Sequence, residues 1–355
     1  MDTREQIRKI VVANVALIQV QAVIVTLLAA AAAIVLSWIP RGNIDWSHAA
    51  LLCASSLATA SLASFLLSGV MIIVVLLSRR HNVNPDNIAT PIAASLGDLT
   101  TIGVLSMFGT FFLNAHVRES WLNVFIIIAF MCTIPLWARA ALEDAGTRDV
   151  LLDGWSPIIC SMLISSSGGF VLERAMRSYQ QMALFQPVIN GVGGNLAAIH
   201  ASRMSTFFHK FSMLGVLPKG WTIPRFCDVN RAFFSSDWDA RSARVLLFLV
   251  VPGHMVFNWL IGLLHVGENP PTSALFTSIY MIAALAQVAF LLFICQLLIA
   301  LLWLWRIDPD NAAIPYLTAL GDLSYFMKVV LTTRNRVDHG ENGGKKNETV
   351  YSAKY

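Results

Sequence analysis

The sequence predicts an all-α polytopic membrane protein: two parallel helical repeats, the first lacking its two N-terminal helices, joined by a linker transmembrane helix. Three observations predict it. The 355 residues are 56% hydrophobic and only 13% charged, with a mean hydropathy of +0.64, whereas a soluble domain carries about 25% charged residues. Apolar stretches long enough to cross a bilayer recur along the chain. One motif is written twice: residues 84–99 read N-P-D-N-I-A-T-P-I-A-A-S-L-G-D-L and residues 308–323 read D-P-D-N-A-A-I-P-Y-L-T-A-L-G-D-L. The copies are offset by 224 (308 − 84) without a gap, and nine of the sixteen positions are identical.

A span needs about 20 apolar residues at 1.5 Å rise each. Such stretches run over 10–39, 49–78, 87–114, 121–142, 155–173, 184–208, 244–266, 273–305 and 312–333, nine in all. Gly168, Gly169, Gly191, Gly193 and Gly194 interrupt the pattern of two of them, which predicts broken or closely packed helices. The longest polar connection, 209–240, is expected on the cytoplasmic surface. Threading nine spans puts Arg8, Lys9, Arg79, Arg80, Arg139, Arg148, the basic residues of 203–244 and Arg306 on one face. Only Arg41, Arg118, Arg174 and Arg177 fall on the other before the tail. The excess of positive charge marks the cytoplasm, so the N-terminus is expected inside and the C-terminus outside. The basic tail after residue 335 works against that orientation, while its N-E-T sequon at 347–349 favours it.

The offset reaches beyond the motif. Residues 20–40 fall on 244–264, and 49–79 on 273–303, all of them apolar. The counterpart of 153–224 would precede Met1. The predicted organisation is a partial first repeat of three spans over 1–118, a linker helix within 119–150, a complete second repeat of five spans over 151–335, and a disordered tail over 336–355. An odd-numbered unit ends on the opposite side from its start. One extra crossing, 121–142, lets the second repeat insert in the same orientation as the first.

The motif places acids inside hydrocarbon, where a carboxylate is costly and marks an ion pathway by default. Asp98 lies twelve residues beyond Asp86, about 18 Å along a helix axis and near the midplane of a core about 30 Å thick. Asp322 sits at the same register. Asn87, Pro91, Ala94, Ser95 and Asp98 share one stripe, as do Asn311, Pro315, Thr318, Ala319 and Asp322. Pro91 and Pro315 free the carbonyls of Asn87 and Asn311 from helix hydrogen bonding, and a freed carbonyl is available to a cation. Gly97 and Gly321 permit close backbone approach. Carboxylate, amide and hydroxyl are hard oxygen donors suited to Mg²⁺, Ca²⁺, Mn²⁺ or Na⁺. Two facing carboxylates among few other charges suit Mg²⁺ that keeps most of its waters.

A second constellation is P-V-I-N-G-V-G-G-N over 187–195, followed by Ala201, Ser202 and Arg203. Asn195 is a candidate pore ligand, and the glycines serve close packing. His200 and His209 read as helix-end residues. The five cysteines form no C-x-x-C pair, so neither a zinc site nor a disulfide framework is expected. No nucleophile–base pair appears, so an enzyme is not expected, and the net charge of +4 does not point to nucleic acid.

The two motif copies, with P-V-I-N-G-V-G-G-N-L-A-A-I-H-A-S-R-M-S-T between them, resemble the solute carrier 41 family over about residues 10 to 330. The resemblance implies two MgtE-type membrane domains and Mg²⁺ transport at the plasma membrane, with Asp98 and Asp322 holding the metal in the pathway. It implies that Asp86, Asp308 and Asp310 lie near the cytoplasmic mouth. Mg²⁺ enters as cargo, with other divalent cations as competitors and no resident cofactor. The family carries a first-repeat copy of the G-N-L…A-S-R helix, and this sequence shows none. Two alternatives follow: a non-conducting chain that self-associates or modulates a full-length paralogue in the bilayer, and an exchanger of another divalent cation coupled to Na⁺.

Overall fold

A computed structural model of the protein describes residues 4–82, 85–116, 121–178, 186–263, 274–321 and 323. Asp322 and the tail over 336–355 lie outside the described residues. The chain forms α1 (Arg4–Arg41), α2 (Trp46–Arg80), α3 (Pro85–His116), α4 (Trp121–Ala141), α5 (Ala145–Asp153), α6 (Trp155–Ser178), α7 (Gln186–Phe211), α8 (Ile223–Cys227), α9 (Val229–Phe234), α10 (Trp238–Leu263) and α11 (Ala274–Leu304), then α12 over 309–321. Among the described residues there is no strand.

Among the described residues, six helices are long and apolar enough to cross a membrane, and a seventh crossing arises if α5 and α6, bent by 51°, form one span. Nine stretches were expected from the sequence. Two account for the difference: α7, though 26 residues long, carries too many polar side chains to pass, and 312–333 runs past the last described residue. The bend falls at Gly154, where an added Cβ would lie 2.5 Å from the Val150 carbonyl oxygen, so only glycine fits. The outer faces carry exposed Leu66, Ile73, Phe111, Met131, Phe248 and Trp259. So much uncovered apolar surface is stable only against lipid. The protein is an integral, multi-pass membrane protein.

Helix boundaries repeat at the sequence offset. α2 ends at Arg80 and α11 at Leu304; α3 begins at Pro85 and α12 at 309; each pair differs by 224. The non-glycine residues with positive φ among the described residues are Asn82 at 54° and Arg306 at 61°, again 224 apart. Arg306 closes a Schellman turn: its N–H reaches the Trp303 carbonyl at 3.1 Å, and the Ile307 N–H reaches the Leu302 carbonyl at 2.9 Å. Asn82 donates equivalently to the Arg79 carbonyl at 3.2 Å. A left-handed residue is a costly stop signal for a side chain as bulky as arginine. Its recurrence at one register is independent evidence that the halves share one architecture.

In the first half, α4 packs on α1 through Ala16, Leu17, Val20 and Ala141, and on α2 and α3 through Ala54, Ala58 and Phe112. In the second half, α7, α11 and α12 enclose Ala197, Met204, Leu291, Ile299, Ala312 and Leu317. The connection after α7 is an ordered plug, although its composition reads as a polar surface loop. Phe207, Phe208, Trp221, Phe226, Trp238 and Trp303 cluster there with neighbouring ring centroids 4.8–6.5 Å apart. The buried Trp303 indole N–H donates to the Met213 and Val216 carbonyls at 2.9 Å, which satisfies the backbone leaving α7.

Arg225 locks the plug. Its guanidinium stacks 3.7 Å from the Trp221 ring centroid, pairs with both Asp239 oxygens at 3.3 Å and meets Asp237 at 3.1 Å. The Arg225 and Asp239 side chains are 8% and 6% exposed, so neither charge is shared with water. Partial burial works against ionisation of Asp237, yet the guanidiniums of Arg225 and Arg231 and the Ser235 hydroxyl hold its carboxyl below the usual range. A lowered folded-state value means that its pairing stabilises above the ordinary carboxylate range, near pH 4, and is lost as pH falls through that lowered value. Replacing Arg225 by Met leaves a buried, unpaired Asp239, so thermal unfolding in detergent should show a loss of about 3–5 kcal/mol. The double variant Arg225→Met, Asp239→Leu should recover most of it; equal instability of single and double variants would contradict the pairing.

Candidate functional site

The site is organised by α7. Its glycines strip side chains from one end of the helix, so neighbouring helices approach the backbone itself. The sequence left open whether these glycines break the helix; α7 runs unbroken from Gln186 to Phe211, and close packing is their use.

The first motif helix, α3, runs antiparallel to α7. An added Cβ at Gly191 would lie 3.0 Å from Asp98 Oδ2 and 4.0 Å from the Asn195 amide nitrogen. Asn195 hydrogen-bonds the Asp98 carboxylate. Two turns nearer the α3 N-terminus, the Thr90 hydroxyl donates to Ser202 Oγ at 3.2 Å. Asp98 is not sealed in a core; its side chain is open to the space beside α7. Ser95, also exposed, donates its hydroxyl proton to the Pro91 carbonyl at 2.9 Å, which leaves its oxygen lone pairs facing outward. Pro91 lies inside continuous helix. The Asp86 and Asn87 side chains fall outside the described residues.

The second motif helix, α12, reaches the neighbouring stripe of α7. An added Cβ at Gly194 would lie 3.2 Å from the Thr318 methyl carbon, and one at Gly321 would lie 3.6 Å from Gly194 Cα. Two backbones therefore touch at that crossing. Gln287 of α11 donates to the buried Gly321 carbonyl at 3.2 Å. Thr318 returns its hydroxyl to the Ile314 carbonyl at 2.6 Å, so its methyl faces α7. Pro315 sits within the same helix, seven residues before Asp322, which itself lies outside the described residues. The structure thus brings both motif helices onto one glycine-rich stretch of α7.

A separate cluster forms where α7 ends and α12 begins. Asp308 Oδ1 accepts the Asp310 N–H at 3.0 Å and so caps α12. His209 Nε2 lies 3.1 Å from Asp308 Oδ1 and 3.6 Å from Asp310 Oδ2. All three are substantially exposed, and Asn311 is exposed on the same turn. Sequence reasoning took His209 as a helix-end residue; it is one, and it also faces both acids. Nothing in spacing along the chain signals a contact across 99 residues. Gln287 was missed as well. An amide isolated in a segment as apolar as α11 was the available signal.

The family model described as MgtE, divalent cation transporter, matches residues 1–108 and 186–332. Those stretches contain both motif copies and α7. Solute carrier family 41 member 3 of Rattus norvegicus is 45% identical over 91% of this chain and 70% of its own length. Solute carrier family 41 member 2 is 42% identical in Mus musculus and 41% in Homo sapiens, over 91% of this chain and 56% of each relative. The chain thus spans 56–70% of the length of these relatives. No solved structure gives a significant match. The duplicated motif, the glycine helix between its copies and the length of these matches lead to one conclusion: the chain belongs to the solute carrier 41 family and carries the MgtE-type divalent cation transporter domain in two stretches.

Proposed function

We propose that this protein moves Mg²⁺ across the plasma membrane along the seam where α3 and α12 meet α7. The observation that carries the reading is the Asp98–Asn195 pair beside the bare backbone of Gly191. A carboxylate at midspan needs partners, and among the described residues Asp98 meets a neutral amide rather than a cation. Its charge is left for a mobile ion. The donors nearby are oxygens, which suit a hard divalent cation that retains water. Asp322, by its register, is the second acid of the pathway, with Ser95, Thr318, Asn87 and Asn311 along the same stripes.

The distribution of charge supports two repeats of the same orientation with a cytoplasmic N-terminus. Arg8 and Lys9 lie near the start of α1 as Arg241 and Arg244 lie near the start of α10, and Arg79 and Arg80 end α2 as Arg306 follows α11, at the same helix ends though not at the 224 register. The Asp308–Asp310–His209 cluster then lies at the cytoplasmic mouth with Asp86, where two exposed acids concentrate cations before entry. The C-terminus follows on the extracellular side.

Mg²⁺ uptake read by isotope or fluorescent dye in cells expressing the chain should fall to background for Asp98→Ala and for Asp322→Ala. Asn195→Leu, which removes a partner of the acid rather than the acid, should cost about ten- to a hundredfold. Undiminished flux in the Asp98→Ala, Asp322→Ala double variant would sink the site assignment. Uptake should compete with Ca²⁺ and Mn²⁺ only weakly and should persist without a Na⁺ gradient. Dependence on that gradient, or stronger transport of another ion, would favour a Na⁺-coupled exchanger instead.

A further inference from the structure

The turn that joins α9 to α10 gathers arginines. Arg241 Nε donates to the Ser236 carbonyl at 2.9 Å, and Arg244 donates to the Phe233 and Ser235 carbonyls at 2.7 and 2.8 Å. Neutral carbonyls therefore fix both guanidiniums, and each keeps N–H donors that these bonds do not use. Both side chains are exposed. Among the described residues, neither arginine has a carboxylate partner. The acids of this corner are engaged elsewhere: Asp239 with Arg225, Asp237 with Arg225 and Arg231, and Asp228 as the cap of α9. Two positive charges are left unopposed.

Apolar surface continues directly from the pair. Val245 and Phe248 follow Arg241 by four and seven residues and so share its helix face; they are 59% and 74% exposed. Across the turn, Phe234 at the end of α9 is 78% exposed, although its neighbour Phe233 is buried. The apolar span of α10 begins at Trp238. The arginines stand in its first two turns, where headgroups give way to hydrocarbon, and Phe248 stands deeper. The repeat supplies a second observation. Subtracting 224 from the arginine positions gives Leu17 and Val20 of α1, both buried. The first half uses this register for packing; the second turns it outward and charges it. A charge that only marked the end of a span would need no fixed register, whereas three backbone carbonyls hold this pair at one.

We infer that this corner binds an anionic phospholipid, with the phosphate on Arg241 and Arg244 and an acyl chain along Val245 and Phe248. The chemistry of the occupant follows from the surface. Guanidinium forks match phosphate oxygens, and an aromatic ring such as Phe234 packs at the boundary between headgroup and chain. A soluble phosphate would meet the arginines but leave the apolar face uncovered. A phosphatidylcholine would cover that face but bring its own cation beside two others. An anionic lipid answers both features. Ser242, between the two arginines in sequence, accepts a hydrogen bond from Arg203 of α7 at 3.2 Å. The lipid site therefore adjoins the contact that ties α10 to the seam helix. The choice of the cytoplasmic leaflet rests on the orientation proposed above; headgroup binding does not, and its test reads no flux.

The purified full chain is placed in phosphatidylcholine nanodiscs with a subsaturating amount of diazirine-acyl phosphatidylserine or, in parallel, of the matching diazirine-acyl phosphatidylcholine. After illumination, adducts are mapped by mass spectrometry. Phosphatidylserine adducts should concentrate on residues 234–248. The double variant Arg241→Gln, Arg244→Gln should lower them about twentyfold, because each basic residue near an anionic surface favours association about fivefold. Arg244 also braces the turn, so two further variants guard against misfolding. Arg241→Gln alone should cost about fivefold, and Arg241→Lys, Arg244→Lys, which keeps the charge, should retain most of the signal. Arg8→Gln, Lys9→Gln at the start of α1 should change nothing. Equal labelling of this segment by both lipids, or phosphatidylserine labelling that survives the glutamine variants, would overturn the inference. Displacement by excess soluble phosphoserine would assign the arginines to a free phosphate and overturn it equally. So would an absence of adducts from either lipid, which would mean that polypeptide covers the face.

Discussion

Everything in this structure turns on two helix backbones meeting at Gly194 and Gly321. In lipid, apolar side chains gain nothing by leaving solvent for one another, so helices associate through close packing and interhelical hydrogen bonds. The crossing supplies both. The backbones approach within van der Waals distance of a single carbon, and Gln287 closes the contact by donating to the Gly321 carbonyl. Because α7 is bare there, it can be flanked by α12 on one stripe and by α3 on the next. An acid from the first half thereby reaches a helix of the second. In the proposed reading, the pathway is a consequence of that packing rather than an addition to it.

The seam also explains the division of labour among polar side chains. Thr318 turns its hydroxyl into its own helix and presents a methyl to α7, so at that level the contact is dry. One face further round, Asp98 keeps its carboxylate open and takes a hydrogen bond from Asn195. Dry packing and an open carboxylate occupy neighbouring stripes of one helix. The aromatic plug beneath, built on Trp303 and Arg225, holds the ends of α7 and α11 together and fixes the register of those stripes.

Much of this was legible in the sequence. The offset of 224 is a covalent fact, and helix ends and left-handed stops obey it at Arg80 and Leu304 and at Asn82 and Arg306. The Asp98 register was readable because an acid in an apolar run is conspicuous. Asn195 was readable because it interrupts a glycine segment. What stayed hidden is tertiary. Polar side chains on α7 made its hydropathy ambiguous, yet some of them pair with α3 and α10, as with Thr90 to Ser202 and Arg203 to Ser242 at 3.2 Å. The plug read as a polar connection because Arg225 and Asp239 were counted as charges, whereas they neutralise each other in a buried pair. His209 gave no local sign of facing Asp308, since the contact exists only once α7 and α12 are packed.

The central claim is that the bare backbone of α7 is what assembles the pathway. It is tested most directly by comparing Mg²⁺ uptake and surface expression of Gly194→Leu with those of Gly69→Leu. Leucine at Gly194 must displace α12, because an added Cβ already lies 3.2 Å from Thr318; at Gly69, nothing lies within 4 Å. The account predicts that Gly194→Leu loses uptake to background at matched expression while Gly69→Leu stays near wild type. Uptake by Gly194→Leu equal to that of Gly69→Leu would contradict it.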